Sequence, residues 1–247
     1  MTQLQAISPS GNDTLTSAEF PIPAVLDSGT TLSYLPQDLA EQTWKEAGAQ
    51  YWDKVQLAIV PCNRKHSKGH FSFQFGGPGG PRINVGMDEL VLDLVNGNPP
   101  KYQSGPNQGQ DICSFGFQNA SSSPYLLGDT FLRSAYVVYD LVNNEIGLAE
   151  TDFNSTQSNI VSFASMGAPI PSATEAPNQA AVTDKPDDTP PGFSASDGFS
   201  DGNGSGNGGE DENASPGMPS AFGVAQMSVM AVSMVFAMIG SGIFALL

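Results

Sequence analysis

Between Met166 and Ser220 large apolar residues nearly vanish, and Pro, Ser, Thr, Ala, Gly, Asn and Asp take over. A stretch of that composition cannot bury enough surface to offset the chain entropy lost on folding. The packed part of this 247-residue chain is therefore expected in residues 1–165, with 166–221 a disordered Pro/Ser/Gly/Asp-rich stalk. Residues 222–247 form a third segment, apolar and without a charge. About 20 such residues are enough for a helix to cross a bilayer. No Lys or Arg follows them, and the small residues Asn213-Ala214-Ser215, a polar spacer and the apolar tail together have the form of a glycosylphosphatidylinositol (GPI) anchor signal. Asn213 is the expected attachment residue, with Gly208 or Gly209 next, and a retained transmembrane helix is the alternative.

Within the first segment the signals are those of strands. Charged residues make up only 14% of the chain, against 27 Gly and 19 Pro, which favours β-structure and loops over a helical bundle. Ala24-Val25-Leu26 is a short apolar run, and His70 to Phe75 alternates apolar and polar as a half-buried strand does. Gly76 to Pro81 follows as a turn, and Ile112 to Phe117 predicts another strand. Tyr136–Tyr139 and Glu145–Ala149 predict the arms of a hairpin with Asn143-Asn144 at its turn. One helix is legible: Pro36 suits a first helical turn, Leu39, Ala40, Thr43, Trp44 and Ala47 share a face, and Gly48 is placed to end it. The expected class is all-β with a few short helices, with Trp44 and Trp52 as packing residues.

The net charge of −16 argues against a nucleic-acid partner, which calls for a basic footprint. Asn-x-Ser/Thr sequons stand at Asn12, Asn119, Asn154, Asn203 and Asn213. With two cysteines and an apolar C-terminus they point to the secretory route, where Cys62 and Cys113 are expected to pair. The residues after Met1 have neither a basic region nor an apolar leader core, which raises the expectation of a missing front end. Cys62, His66, His70 and Cys113 have the residue types of a zinc set. The basic, loop-like Asn63-Arg64-Lys65 and Ser67-Lys68-Gly69 between them read better as a surface loop.

Ala24-Val25-Leu26-Asp27-Ser28-Gly29-Thr30-Thr31 is the stretch that carries chemistry. A short apolar strand delivers an acid into a tight turn. Gly29 admits a close approach of the backbone and unusual angles, and Ser28 and Thr30 supply hydroxyls and N–H groups to hold a carboxylate. One carboxylate cannot hydrolyse a peptide alone, because one group must take a proton from water while another gives one to the carbonyl. Asp129-Thr130-Phe131 is the remaining candidate in an apolar setting, but Phe131 stands where the turn needs glycine.

Asp27-Ser28-Gly29-Thr30-Thr31-Leu32 resembles the second active-site motif of the pepsin-like aspartic proteases. Leu126-Leu127-Gly128-Asp129-Thr130-Phe131, continuing through Asp140, and Glu145-Ile146-Gly147-Leu148-Ala149 resemble later stretches of the same family, closest to the fungal yapsins and candidapepsins. The resemblance covers roughly residues 4–165 and implies the C-terminal lobe of a bilobal aspartic endopeptidase, acting on polypeptides without metal or cofactor. It implies that Asp27 is a catalytic aspartate, that Gly29 sets the loop, that Thr30 joins hydrogen bonds between lobes, and that Thr31 lines the cleft beside Ser28. Leu126, Leu127 and Gly128 would pack beneath that loop, and Cys62–Cys113 would be the lobe's disulfide. In that family two carboxyls about 3 Å apart share one proton, an established property of the class.

The first lobe, with its own Asp-Thr/Ser-Gly motif and its flap, is not in this sequence. A fragment of a cell-surface protease of the plasma membrane or cell wall is the leading expectation. Two alternatives stand beside it: an inactive surface glycoprotein, and a lobe that pairs with a second copy of itself.

Overall fold

The computed structural model describes residues 1–177 and 227–231. The chain opens with β1 (Gln3–Ser8), β2 (Gly11–Leu15), β3 (Ala24–Leu26) and β4 (Ser33–Pro36), then α1 (Gln37–Ala47). There follow β5 (Gln50–Trp52), β6 (Leu57–Pro61), a 3-10 turn at Cys62–His66, β7 (His70–Gln74), β8 (Arg82–Gly86), α2 (Met87–Leu90) and β9 (Val91–Asp93). The remainder is β10 (Ile112–Phe115), β11 (Phe117–Ala120), β12 (Tyr125–Leu127), α3 (Asp129–Leu132), β13 (Ala135–Asp140), β14 (Glu145–Glu150), β15 (Ala173–Glu175) and β16 (Met227–Ala231). Strands dominate, with three short α-helices among the described residues, which is the mostly-β class the composition calls for.

Among the described residues these strands form four sheets of four, ordered β2-β1-β7-β8, β5-β6-β10-β9, β11-β4-β12-β3 and β13-β14-β16-β15. The third and fourth are mixed. In the third, β12 runs parallel to β3 and antiparallel to β4, and β11 runs parallel to β4; in the fourth, β15 runs parallel to β16 while the other pairs are antiparallel.

The stretch predicted as one strand over Ile112–Phe117 is two, β10 in one sheet and β11 in another, divided at Gly116. A Cβ there would press on Leu90 and Thr130, and the Gly116 carbonyl accepts hydrogen bonds from Ser33 N (2.9 Å) and Thr130 Oγ1 (3.2 Å). Strand β7 differs from its expectation as well. Its polar positions Ser72 and Gln74 are buried rather than facing water, and Gln74 is satisfied by Gly77 O and Arg82. Helix α1 ends as read, with Gly48 left-handed at φ 69°, but Pro36 is the residue before it and the last of β4, not part of its first turn. Trp44 is buried, donates from Nε1 to Phe117 O at 2.8 Å and stacks on Tyr51.

The hairpin β13–β14 pairs Ala135 with Glu150 through to Asp140 with Glu145. The Asp140 carboxylate shapes its turn by accepting from the N–H groups of Val142 and Asn143 and from Asn143 Nδ2. The centre of the core is aromatic. Phe71, Phe73, Phe115, Phe117 and Phe131 are fully buried and meet edge to face with ring centroids 5.1 to 6.3 Å apart, the arrangement the ring quadrupole favours.

Residues 166–177, placed in the stalk from composition, include β15 and bury Ile170 and Ala176. The rest of that segment lies outside the described residues. Of the apolar tail only Met227–Ala231 is described, as a strand on β14 instead of a helix; Asn203, Gly208, Gly209 and Asn213 lie outside. Among the described residues no helix is long and apolar enough to cross a membrane.

Cys62 and Cys113 are bonded to each other, which leaves no thiolate for a zinc set. They close a loop of 51 residues. Chain-entropy reasoning gives such a cross-link a stabilising effect of about 4 kcal/mol. The Cys62→Ser, Cys113→Ser double variant is expected to lower the unfolding free energy by about that amount in a urea titration, with little change in the native circular dichroism.

Candidate active site

Strand β3 ends at Leu26, and the next residue begins the turn that carries the acid. Asp27 N donates to Leu127 O at 3.0 Å, continuing the β3–β12 ladder one step past the strand. The chain then curls over the carboxylate: Gly29 N donates to Asp27 Oδ1 at 2.9 Å, and Thr30 Oγ1 to Asp27 Oδ2 at 2.5 Å. Both oxygens are thus held, while Asp27 stays part-exposed and Ser28, Gly29 and Thr31 face solvent. These two donors, Thr30 first, hold the Asp27 carboxyl below its usual range, and the slight loss of hydration opposes them. Gly29 keeps its backbone out of the left-handed region. What its position requires is closeness: a Cβ would lie 3.2 Å from Asp27 Oδ1, tighter than such contacts ordinarily are.

A second loop interlocks with the first. Asp129 N donates to Thr30 O at 2.8 Å and Thr130 N to Thr31 O at 3.1 Å. Gly128 lies against the carbonyls of Thr30 and Leu32 so closely that a Cβ would overlap both oxygens. Any side chain there would push the two loops apart. Leu126 and Leu127 pair with Val25 and Leu26, so the Leu126–Gly128 segment runs alongside the acid-bearing turn. Asp129 opens α3 with its backbone N–H in this interlock.

Two residues that the motifs did not single out, Ser33 and Gly116, hold the two loops together, and a third, Tyr139, supports the strand before the first loop. Ser33 Oγ accepts from Gly128 N at 3.1 Å and shares a 3.0 Å hydrogen bond with Thr130 Oγ1, both buried. Gly116 closes the network through its carbonyl. Tyr139, on β13, reaches Leu26 O with its hydroxyl at 3.3 Å; burial and then the nearby charge of Asp27 raise its pKa. Ser33 follows the motif directly, and a hydroxyl at the start of a buried strand was the signal that could have found it.

Among the sequons, Asn12 is exposed on β2, Asn119 is part-buried within β11, and Asn154 is exposed in the segment after β14.

Residues 2–151 match the family described as eukaryotic aspartyl protease, and the chain belongs to that family. It is 44% identical over 161 residues to the probable aspartic-type endopeptidase OPSB of Arthroderma benhamiae, a match that covers 64% of this chain and 31% of that protein. It is also 36% identical over 171 residues to aspartic proteinase 3 of Saccharomyces cerevisiae, covering 69% of this chain and 26% of that one. The crystal structure of the aspartic proteinase from Irpex lacteus aligns with a TM-score of 0.40 at 19% identity, over 64% of this chain and 44% of that chain. The chain thus spans between a quarter and a third of the length of these curated relatives.

Two substitutions probe this geometry. Ser33→Ala leaves the buried Gly128 N–H without its acceptor, and about 1–3 kcal/mol of stability is expected to be lost in chemical denaturation. Thr30→Val removes the first donor to Asp27. A depressed carboxyl stabilises the fold above the ordinary carboxylate range and loses that contribution as pH falls through its folded value. In the Thr30→Val chain the loss is expected at higher pH, read as an upward-shifted midpoint of the Asp27 carboxyl carbon in an NMR titration.

Proposed function

We propose that this chain supplies one of the two carboxylates of an aspartic endopeptidase, and that Asp27 is that group. The observation that carries the reading is the grip on Asp27: a carboxylate held on both oxygens by Gly29 N and Thr30 Oγ1, kept ionised, and still open to solvent at the mouth of a strand. An acid fixed in this way is oriented for general base work on water. In the proposed reaction water sits between Asp27 and a second carboxyl carried outside this sequence. One carboxyl removes the water's proton and the other protonates the scissile carbonyl. The carboxyl that took the water's proton then gives it to the leaving nitrogen as the C–N bond breaks. A hydroxyl proton of the tetrahedral adduct returns to the other carboxylate, and a new carboxyl and a free amine result. Gly29 and Thr30 keep the carboxylate in place, Thr30 and Thr31 lie where a facing lobe and a substrate are met, Ser28 stands on the open rim, and Leu126, Leu127 and Gly128 support the turn.

Residues 1–165 are proposed as the C-terminal lobe, with 166–177 part of its packing and the stalk in the residues after them up to 221. Residues 222–247 are proposed as the signal that is exchanged for a lipid anchor at Asn213, and that anchor tethers the protein to the cell surface. The disulfide, the sequons at Asn12, Asn119 and Asn154, and relatives named as a secreted aspartic protease and a yapsin support a secretory route.

The test is proteolysis of an unstructured polypeptide in acid, measured for the chain alone and for the chain joined to a front lobe of the length its relatives carry. The joined form is expected to cleave in a pepstatin-sensitive manner, and its Asp27→Asn variant to fall to background. Undiminished cleavage by the variant would remove Asp27 from the mechanism. Cleavage by the chain alone, with sedimentation as a dimer, would instead make a second copy the source of the other carboxylate.

A further inference from the structure

Residues 152–167, between β14 and β15, are sixteen exposed positions in succession, and 155–163 belong to no helix, strand or turn. Both ends of this stretch are fixed. Thr151 N donates to Ser134 O at 3.0 Å on one side. On the other, Asn143 Nδ2 donates to Ala168 O at 3.2 Å, and Ile170 is buried. The stretch's own backbone bonds lie near those ends, Ser155 N on Asp152 O at 3.4 Å and Ala168 N on Ser165 O at 3.2 Å. Among the described residues no hydrogen bond reaches 156–164. The result is a strap tied at two points and open between them.

Large apolar side chains so exposed call for a reason when they cluster. The strap carries Phe153, Ile160, Val161, Phe163 and Met166, with Ile160 89% and Met166 90% exposed. From Phe153 to Thr174 it has no charge, in a chain whose net charge is −16. These apolar side chains do not share one face. Ile160 and Val161 are neighbours and both are exposed, whereas a strand laid on a flat partner presents every second residue. A chain open all round, with unused N–H and C=O groups, suits a cleft that encloses it as an extended strand. Backbone bonds then hold the peptide, and pockets read its side chains.

We infer that residues 159–166 are a processing site, cut by an endopeptidase that accepts apolar side chains. Hydrolysis there adds one water across one peptide bond and leaves a new carboxyl and a new amino terminus. No Lys or Arg lies between Arg133 and Lys185, so an enzyme that needs a basic residue finds no bond to cut in the strap. The acid-bearing turn, the aromatic cluster and the disulfide all precede residue 152, and the cut leaves them whole. What still joins the two pieces is non-covalent: the Asn143–Ala168 hydrogen bond, the packing of Ile170 and Ala176, and the β14–β16 ladder. A covalent attachment thereby becomes one that can dissociate. The site stands apart from the proposed role of Asp27; that the cut parts the lobe from a stalk and an anchor rests on the proposed C-terminal organisation.

Limited digestion of the full disulfide-bonded chain with pepsin tests it, in mild acid where circular dichroism shows the fold intact. Fragments are read by mass after reduction. Within residues 1–221 the first cut is expected between Asn159 and Met166, at least about tenfold faster than any cut before residue 151, where opening requires the core to give way. Ile160→Asp, Val161→Asp and Phe163→Asp together replace exposed side chains. The fold should be kept and the cut slowed about tenfold or more, as when a hydrophobic pocket loses its apolar occupant. The less stable Cys62→Ser, Cys113→Ser variant should be cut in the strap at the same rate, within about twofold, because an open site does not wait for unfolding. A first cut elsewhere in 1–221, a triple variant cut as fast as its parent, or a strap cut that quickens as the fold is destabilised overturns the inference.

Discussion

The contact on which the rest depends is the one between the turn after β3 and the turn after β12. Gly128 presses so tightly on the carbonyls of Thr30 and Leu32 that no side chain fits between them, and Asp129 and Thr130 donate their backbone N–H groups to Thr30 and Thr31. Two irregular turns that would each be mobile alone become one rigid body, because each satisfies the other's backbone. The Ser33–Thr130 hydroxyl pair and the Gly116 carbonyl extend the same logic into the core, where an unmet polar group is costly. Phe131, one residue on, anchors the assembly to the aromatic cluster through Phe73 and Phe75. The position of Asp27 is therefore set by the core, through a short chain of contacts that leaves its carboxylate little freedom.

Parts of this were legible in the sequence because they rest on local rules. Strand β3 shows as Ala24-Val25-Leu26, the hairpin β13–β14 shows in its paired runs, and α1 shows in its apolar face and terminal Gly48. The division at Gly116 did not show, since it depends on Ser33, Leu90 and Thr130, which are distant in the chain and converge only in the fold. β7 gave a period-two pattern yet is buried at its polar positions, because Gln74 finds Gly77 and Arg82 as partners. Strand β2 offered no clean alternation. Asn12 and Thr14 are polar but pair with Ile7 and Gln5 of β1, whose other edge pairs with β7.

At the site, the glycine of the motif was legible as a need for closeness, and the structure locates that need at the Asp27 oxygen rather than in the backbone angles. Ser33 was legible only as a hydroxyl that follows the motif, and Tyr139 not at all. Their roles are hydrogen bonds to Gly128 N and Leu26 O, between groups that no local pattern connects. Motifs mark the atoms that need special backbone, whereas supporting hydroxyls are interchangeable in sequence and become specific only by placement.

On the proposed reading, these contacts leave the acid-bearing turn complete as a structure and in need of a second carboxyl to act as a catalyst. Its hydrogen bonds depress the Asp27 pKa, which favours the anion, part-exposed to water. Adding a second carboxyl at short range changes the electrostatics without needing any change in the turn. Two like charges so close cannot both persist, one pKa rises, and a shared proton appears where none was held before. On the proposed reading, this lobe contributes rigidity and a carboxylate biased toward ionisation. The proton that makes the pair an acid as well as a base comes from the encounter with its partner.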